Sequence, residues 1–124
     1  MVLIVEDEAI SRRALAALLR LHGYETRAAG SAEEALLLLA AGSQPHMALV
    51  DINLPGMNGV EFVRRLHQTH PGVSCVLMTA NQEAGNMRLS ESVAEPTLHK
   101  PFELGALLHL IHESPRSLPM GPQA

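Results

Sequence analysis

The apolar positions of the chain follow two alternating rhythms. Short unbroken runs rich in β-branched residues alternate with stretches in which apolar residues recur every three or four positions. "VLIV" (Val2–Val5) reads as a buried strand. From Ala9 to His22 the residues Ile10, Ala14, Ala17, Leu18 and Leu21 keep helical spacing and mark the apolar face of a helix that Gly23 ends. "ETRA" (Glu25–Ala28) is a weaker strand candidate. Ser31 followed by Glu34 is a capping box for a helix over Ala32–Ala41, closed by Gly42. "MALVD" (Met47–Asp51) is the next strand, and "INLPGMNG" (Ile52–Gly59) is turn chemistry. Val60–Thr69 is helical, with Val63 and Leu66 inward. "VSCVLMTA" (Val73–Ala80) is the most apolar strand. Glu83–Val93 is a weak helix diluted by Gly85 and Asn86, "TLH" (Thr97–His99) is a short strand, and Phe102–His112 is a helix with Leu104, Leu107, Leu108 and Ile111 on one face.

A strand followed by a helix, five times over, implies an α/β fold: one doubly wound (βα)5 domain with a five-stranded parallel sheet and helices on both faces. The 124 residues suit a single domain, expected over residues 1–113. The remainder, 114–124, reads "SPRSLPMGPQA", with three prolines and one glycine in eleven residues. It is expected to be a disordered tail or linker.

Composition removes several function classes. The net charge of −4 offers no basic footprint for nucleic acid. The longest apolar stretch, "ALLLLAA" (Ala35–Ala41), is far short of a membrane span. The start of the chain lacks the basic segment of a signal peptide. One cysteine, Cys75, cannot form an internal disulfide and points to a reduced, cytoplasmic setting. Tyr24, Phe62 and Phe102 are the only aromatic residues, so the core is aliphatic.

The chemistry collects at strand ends. Glu6, Asp7 and Glu8 follow the first strand directly, Asp51 ends the third, Thr79 the fourth, and Lys100 follows the fifth. In an open parallel sheet, ligands bind at the carboxyl ends of the strands. If strands one, three, four and five are neighbours, these groups share one rim. Two carboxylates about 4 Å apart repel by roughly 4 kcal/mol at an effective dielectric of 20. Several together demand a proton or a counter-ion. Lys100 brings one positive charge. A hard divalent cation brings two, and Mg²⁺ takes one or two carboxylates together with phosphate oxygens.

With those groups in view, "LIVEDE", "ALVDINLPGMNG", "LMTA" and "LHKPF" together resemble the receiver domains of two-component response regulators, over about Val2 to Ile111. The resemblance implies the flavodoxin-like strand order 2-1-3-4-5. It implies that Asp51 is the phosphoacceptor, attacking a phosphohistidine on a sensor histidine kinase or histidine phosphotransfer protein to give an aspartyl phosphate. Glu6, Asp7 and Asp51 would hold Mg²⁺, with the backbone carbonyl of Asn53 as a further ligand. Thr79 would bond a phosphoryl oxygen and switch state with it, and Lys100 would pair with the phosphoryl group or with Asp51. Such a chain would catalyse its own phosphorylation and dephosphorylation without being a dedicated enzyme. It would signal to an output domain or partner protein, with no direct contact to nucleic acid or membrane. In the family the bond corresponding to Lys100–Pro101 is often cis.

The resemblance departs at Thr97. Receivers usually carry an aromatic ring there, three positions before the lysine, which moves inward with the threonine on activation. Thr97 leaves open a degenerate receiver that binds a partner without phosphorylation. Enzymes on similar sheets fit less well. A haloacid-dehalogenase-type phosphatase needs Asp-x-Asp where this chain has Asp51-Ile52-Asn53, and a flavodoxin needs a phosphate loop where the acids stand. Histidines three apart on helices (His67/His70 and His109/His112) read as surface residues. Cys75 reads as a buried strand residue, and Glu8 as a first-turn acid favoured by the helix dipole.

Overall fold

A computed structural model describes residues 1–80 and 95–113. The expected helix over 83–93 and the expected tail over 114–124 lie outside the described residues. The elements, in order, are β1 (Val2–Val5), α1 (Ala9–Leu21), β2 (Thr26–Ala29), α2 (Ala32–Ala40), β3 (Met47–Asp51), α3 (Gly59–Thr69), β4 (Ser74–Thr79), β5 (Thr97–His99) and α4 (Leu104–Glu113). The strands form one sheet in the order β2-β1-β3-β4-β5, every pairing parallel. The fold is flavodoxin-like α/β, as the alternation and the resemblance imply.

Each strand sends alternate residues to opposite faces, so the sheet sorts its own side chains into two cores. Leu3, Val5, Ala48, Val50, Cys75 and Leu77 pack against α2 and α3, where Ala35, Leu39, Phe62, Val63 and Leu66 meet them. Val2, Ile4, Met47, Leu49, Val76 and Met78 pack against α1 and α4, through Leu19, Leu107 and Ile111. Continuous apolar runs are the mark of strands covered on both sides. Phe62 is fully buried, a burial that contributes about 1.5–3 kcal/mol.

Local signals set the element ends. Ser31 Oγ accepts the Glu34 backbone N–H at 3.0 Å, and the Glu34 carboxylate reaches back to the Gly30 N–H at 2.9 Å. Asn58 caps α3 by accepting from the Glu61 N–H at 2.9 Å. Gly23 and Gly42 follow α1 and α2 with φ of +88° and +107°, a left-handed conformation that glycine adopts without steric cost.

One reading fails. The apolar stripe of α1 does not face the core. Ile10 and Leu21 are 77% and 81% exposed, and Ala14, Ala17 and Leu18 also meet solvent. The buried residues are Ala16 and Leu19, with half-buried Leu15 beside them. The helix carries apolar residues on two faces. The longer stripe is the more periodic, but only the shorter one lies over Val2 and Ile4. Smaller shifts occur at β2, which begins at Thr26 rather than Glu25, and at α4, which begins at Leu104 rather than Phe102.

Candidate functional site

The parallel register brings the expected groups to one rim. Val5 lies beside Val50, and Asp51 beside Met78, so the turn after β1 meets the ends of β3 and β4. Thr79 lies beside His99, one residue before Lys100. The Lys100 N–H donates to the Thr79 carbonyl at 2.7 Å, which fixes the start of the lysine's stem. The Lys100–Pro101 peptide bond is cis.

Lys100 spans the acids. Its Nζ donates to Glu6 Oε1 and Oε2 at 3.0 and 3.2 Å and to Asp51 Oδ2 at 2.9 Å. The other Asp51 oxygen, Oδ1, accepts the Asn53 backbone N–H at 2.8 Å. Glu6, Asp51 and Thr79 are buried, whereas Asp7 faces solvent. Burial pushes the Glu6 carboxyl up to about 7; the adjacent Asp51 adds to the rise and Lys100 opposes it. Burial would lower the Lys100 ammonium, but the hydrogen bonds it donates to Asp51 and Glu6 outweigh that and hold it above the ordinary lysine value.

Glu6, Asp7 and Asp51 each offer a carboxylate oxygen within 4.8 Å of the others. The donor set is all oxygen, as a hard divalent cation requires. Lys100 already serves two of these acids and does not contact Asp7. The residues therefore fit Mg²⁺, with Asp7 on the solvent side where a cation would enter.

The turn after β3 needs a glycine for a reason that its sequence only hints at. A Cβ on Gly59 would overlap the backbone carbonyl of Asp51. The start of α3 therefore packs directly on the backbone of the candidate acceptor, and Gly59 donates its N–H to the Ile52 carbonyl at 3.0 Å.

The remaining candidates take structural roles. Cys75 is buried, and its sulfur lies 3.7 Å from His67 Nε2, which itself pairs with Glu95 at 3.2 Å. Burial, with Glu95 adding, pushes the thiol up to about 12, so it is no nucleophile at neutral pH. His112 stands 3.1 Å from the Tyr24 hydroxyl. Glu8 accepts a hydrogen bond from Ser11 Oγ at 3.0 Å. Thr97 is half-buried at the start of β5, beside Leu77.

These features are those of a receiver: a doubly wound sheet whose rim holds an acid pair, an aspartate at the end of β3, a threonine and a lysine. The chain belongs to the response regulator receiver domain family, whose pattern it matches over residues 2–112. It is 37% identical over 111 residues to the response regulator protein FleR of Pseudomonas aeruginosa, an alignment covering 89% of this chain and 23% of FleR. It is 35% identical over 106 residues to the KDP operon transcriptional regulatory protein KdpE of Escherichia coli, covering 86% of this chain and 47% of KdpE. The chain thus spans between about a quarter and about half of these relatives. Among solved structures, a CheY-like receiver domain protein from Methanospirillum hungatei superposes with a TM-score of 0.82 at 29% identity, covering 90% of each chain. TrrA of Thermotoga maritima, solved in complex with Mg²⁺ and BeF, superposes with a TM-score of 0.78 at 27% identity, covering 90% of this chain and 96% of that one.

The sequence pattern missed two things at this site. The exposed stripe of α1 begins three residues after Asp7, and only its excess over the core-facing positions hints at it. An apolar groove of about 590 Å³ continues it between α1 and α4, lined by Ser11, Leu15, Leu18, Lys100, Phe102 and Leu107 among others. No local pattern marks a groove formed by residues this far apart.

Proposed function

We propose that Asp51 accepts a phosphoryl group from a phosphohistidine donor in the presence of Mg²⁺, and that the resulting aspartyl phosphate changes the chain's interaction with an output domain or partner protein. The observation that carries this reading is the Lys100 ammonium shared between Glu6 and Asp51, with Asp7 completing an oxygen site beside them. As a carboxylate oxygen of Asp51 bonds to phosphorus, the donor's P–N bond breaks and its imidazole departs with the bonding pair. Phosphoryl transfer asks chiefly for positioning and for charge opposite the equatorial oxygens. The Asn53 N–H and Lys100 orient the two Asp51 oxygens. Lys100, already bonded to Asp51, and Thr79 at the end of the neighbouring strand would receive phosphoryl oxygens. Glu6, Asp7, Asp51 and the Asn53 carbonyl would hold Mg²⁺, which when bound supplies positive charge against the transferring group. The chain would promote its own phosphorylation and dephosphorylation and is not a dedicated enzyme.

The donor is a sensor histidine kinase or a histidine phosphotransfer protein. The exposed stripe of α1 supports a protein donor, because it starts at Ile10, three residues after Asp7, and adjoins at Leu18 the groove that Lys100 also lines. Among the described residues no helix is long and apolar enough to cross a membrane. A cytoplasmic setting suits the unpaired Cys75. A second reading, a receiver that binds its partner without phosphorylation, draws on Thr97 in place of a ring.

Intact-mass measurement after treatment with acetyl phosphate and Mg²⁺ tests the proposal. One phosphoryl group is expected, labile to hydroxylamine and absent from Asp51→Asn. An unlabelled parent protein supports the second reading, and labelling that persists in Asp51→Asn removes the acceptor assignment.

A further inference from the structure

The turn that carries Glu6 and Asp7 is anchored by a side chain from the first turns of α1. Arg12 Nη1 donates to the Glu6 carbonyl at 2.8 Å and to the Asp7 carbonyl at 3.3 Å. The Glu6 N–H donates to the Ala29 carbonyl at 3.0 Å. Both backbone polar groups of Glu6 are therefore taken, one by β2 and one by Arg12. Gly30 makes room for this arrangement. A Cβ there would stand 3.2 Å from Arg12 Nη1 and 3.5 Å from Glu34 Oε2, which itself accepts the Gly30 N–H. The φ of Gly30 is not positive, so its lack of a side chain serves space rather than backbone geometry.

We propose that Arg12 is a positioning residue for the cation site, fixing the backbone from which Glu6 and Asp7 project, and that Gly30 is kept bare to admit its guanidinium. The proposal rests on the reading of Glu6, Asp7 and Asp51 as a Mg²⁺ site. Mg²⁺ tolerates little departure from octahedral geometry, so its affinity is sensitive to the angle at which two adjacent residues present their carboxylates. Residues that orient metal ligands typically affect affinity by 10- to 100-fold.

Arg12 has a second effect of opposite sign. Its positive charge repels a cation, so charge alone would make its removal tighten Mg²⁺ binding. The two effects separate in calorimetric Mg²⁺ titrations of the full chain. Arg12→Ala is expected to bind about tenfold more weakly. Arg12→Lys, which keeps the charge and one donor head but on a shorter reach than the Nη1 that meets both carbonyls, should recover part of that loss. Gly30→Ala presses the guanidinium tip by a few tenths of an ångström without changing any charge and should weaken binding less than Arg12→Ala does. In metal-free protein, amide exchange at Asp7 and Glu8 should quicken in Arg12→Ala more than exchange in β3. Unchanged or tighter binding by Arg12→Ala overturns the proposal while leaving the cation site intact. A parent protein that does not bind Mg²⁺ overturns the cation reading and the proposal with it. Should Arg12→Ala fail to fold, Gly30→Ala decides, and full affinity in that variant overturns the role given to Arg12.

Discussion

The two faces of the sheet are covered to different standards. On the α2–α3 side, Phe62, Val63 and Leu66 are fully buried against Leu3, Val50 and Leu77. On the α1–α4 side, Leu107 and Ile111 are buried, but Leu15, Leu98, Phe102, Leu104, Leu108 and Leu110 are only partly so. There a groove opens between the helices with Leu18 in its wall, and Ile10 and Leu21 lie outside it in solvent. The difference separates two tasks. The first face is closely filled and, through Gly59, seats the end of β3 on α3. Among the described residues the second leaves apolar surface uncovered beside Lys100, which suits a surface that a partner completes.

The sharpest way to break this comparison is to cut into each core. Phe62→Ala should cost about 3–5 kcal/mol, a large share of the stability of a domain this size. Leu107→Ala should cost less, nearer the lower end of the 2–5 kcal/mol range for such changes, because its surroundings are looser and can close over the gap. Urea denaturation of both variants checks the ranking. Equal losses would mean that the α1–α4 side is packed as tightly as the other.

Cys75 probes the closed face by titration. Its thiol is held near 12 in the fold, against an ordinary value of 9.0. The folded state therefore keeps its proton when the unfolded chain has lost it. For this group stability is flat below about pH 9 and declines as pH climbs from there toward 12. Alkaline unfolding of Cys75→Ala should be shallower than that of the parent over that window, and iodoacetamide should label the parent far faster in urea than in buffer at pH 8. Fast labelling of the folded protein would show that this face opens.

The exposed stripe allows the opposite kind of test. Ile10→Ser with Leu21→Ser should change stability by no more than about 0.5 kcal/mol. Phosphorylation by acetyl phosphate should be unaffected, while transfer from a phosphohistidine protein should slow. A marked loss of melting temperature would mean that the stripe belongs to the core after all. Equal transfer rates would remove it from the donor surface.

The contrast between the faces also explains what could be read from the chain. Strands covered on both sides are continuous and apolar, so β1, β3 and β4 stand out, and the strand-end chemistry of Asp51, Thr79 and Lys100 follows from them. The helix α3 was readable because Val63 and Leu66 share its one apolar face. The helix α1 is readable as a helix but its buried face is not, because periodicity reports that a stripe is apolar and not what covers it. Ile10, Ala14, Ala17 and Leu21 satisfy the helical pattern better than Ala16 and Leu19, which do the packing. The grip of Arg12 on the Glu6 and Asp7 carbonyls left no mark either, since backbone acceptors carry no residue signature.

The smallest expected effect concerns Thr97, where the open face meets the rim. Leu77 and Thr79 of β4 lie beside Thr97 and His99 of β5, so Thr97 stands two residues along the ladder from the threonine assigned to the phosphoryl group. In the family's usual arrangement, that threonine moves toward the phosphoryl oxygens and a ring at the position of Thr97 follows it inward. A threonine side chain has about the volume of a valine and cannot fill the space of a ring. Phosphorylation of Asp51 should thus proceed nearly normally while the change at β5 and α4 is muted. Thr97→Tyr should enlarge that change, with little effect on stability, since aromatic residues suit an edge strand. Amide chemical shifts with and without beryllofluoride and Mg²⁺ measure it. In the parent protein the largest shifts should stay near Glu6, Asp51 and Thr79, and in Thr97→Tyr they should spread through residues 97–109. A response in the parent already as wide as that in Thr97→Tyr would show that the switch runs through the aliphatic residues of the open face, such as Leu98 and Leu104, and needs no ring at all.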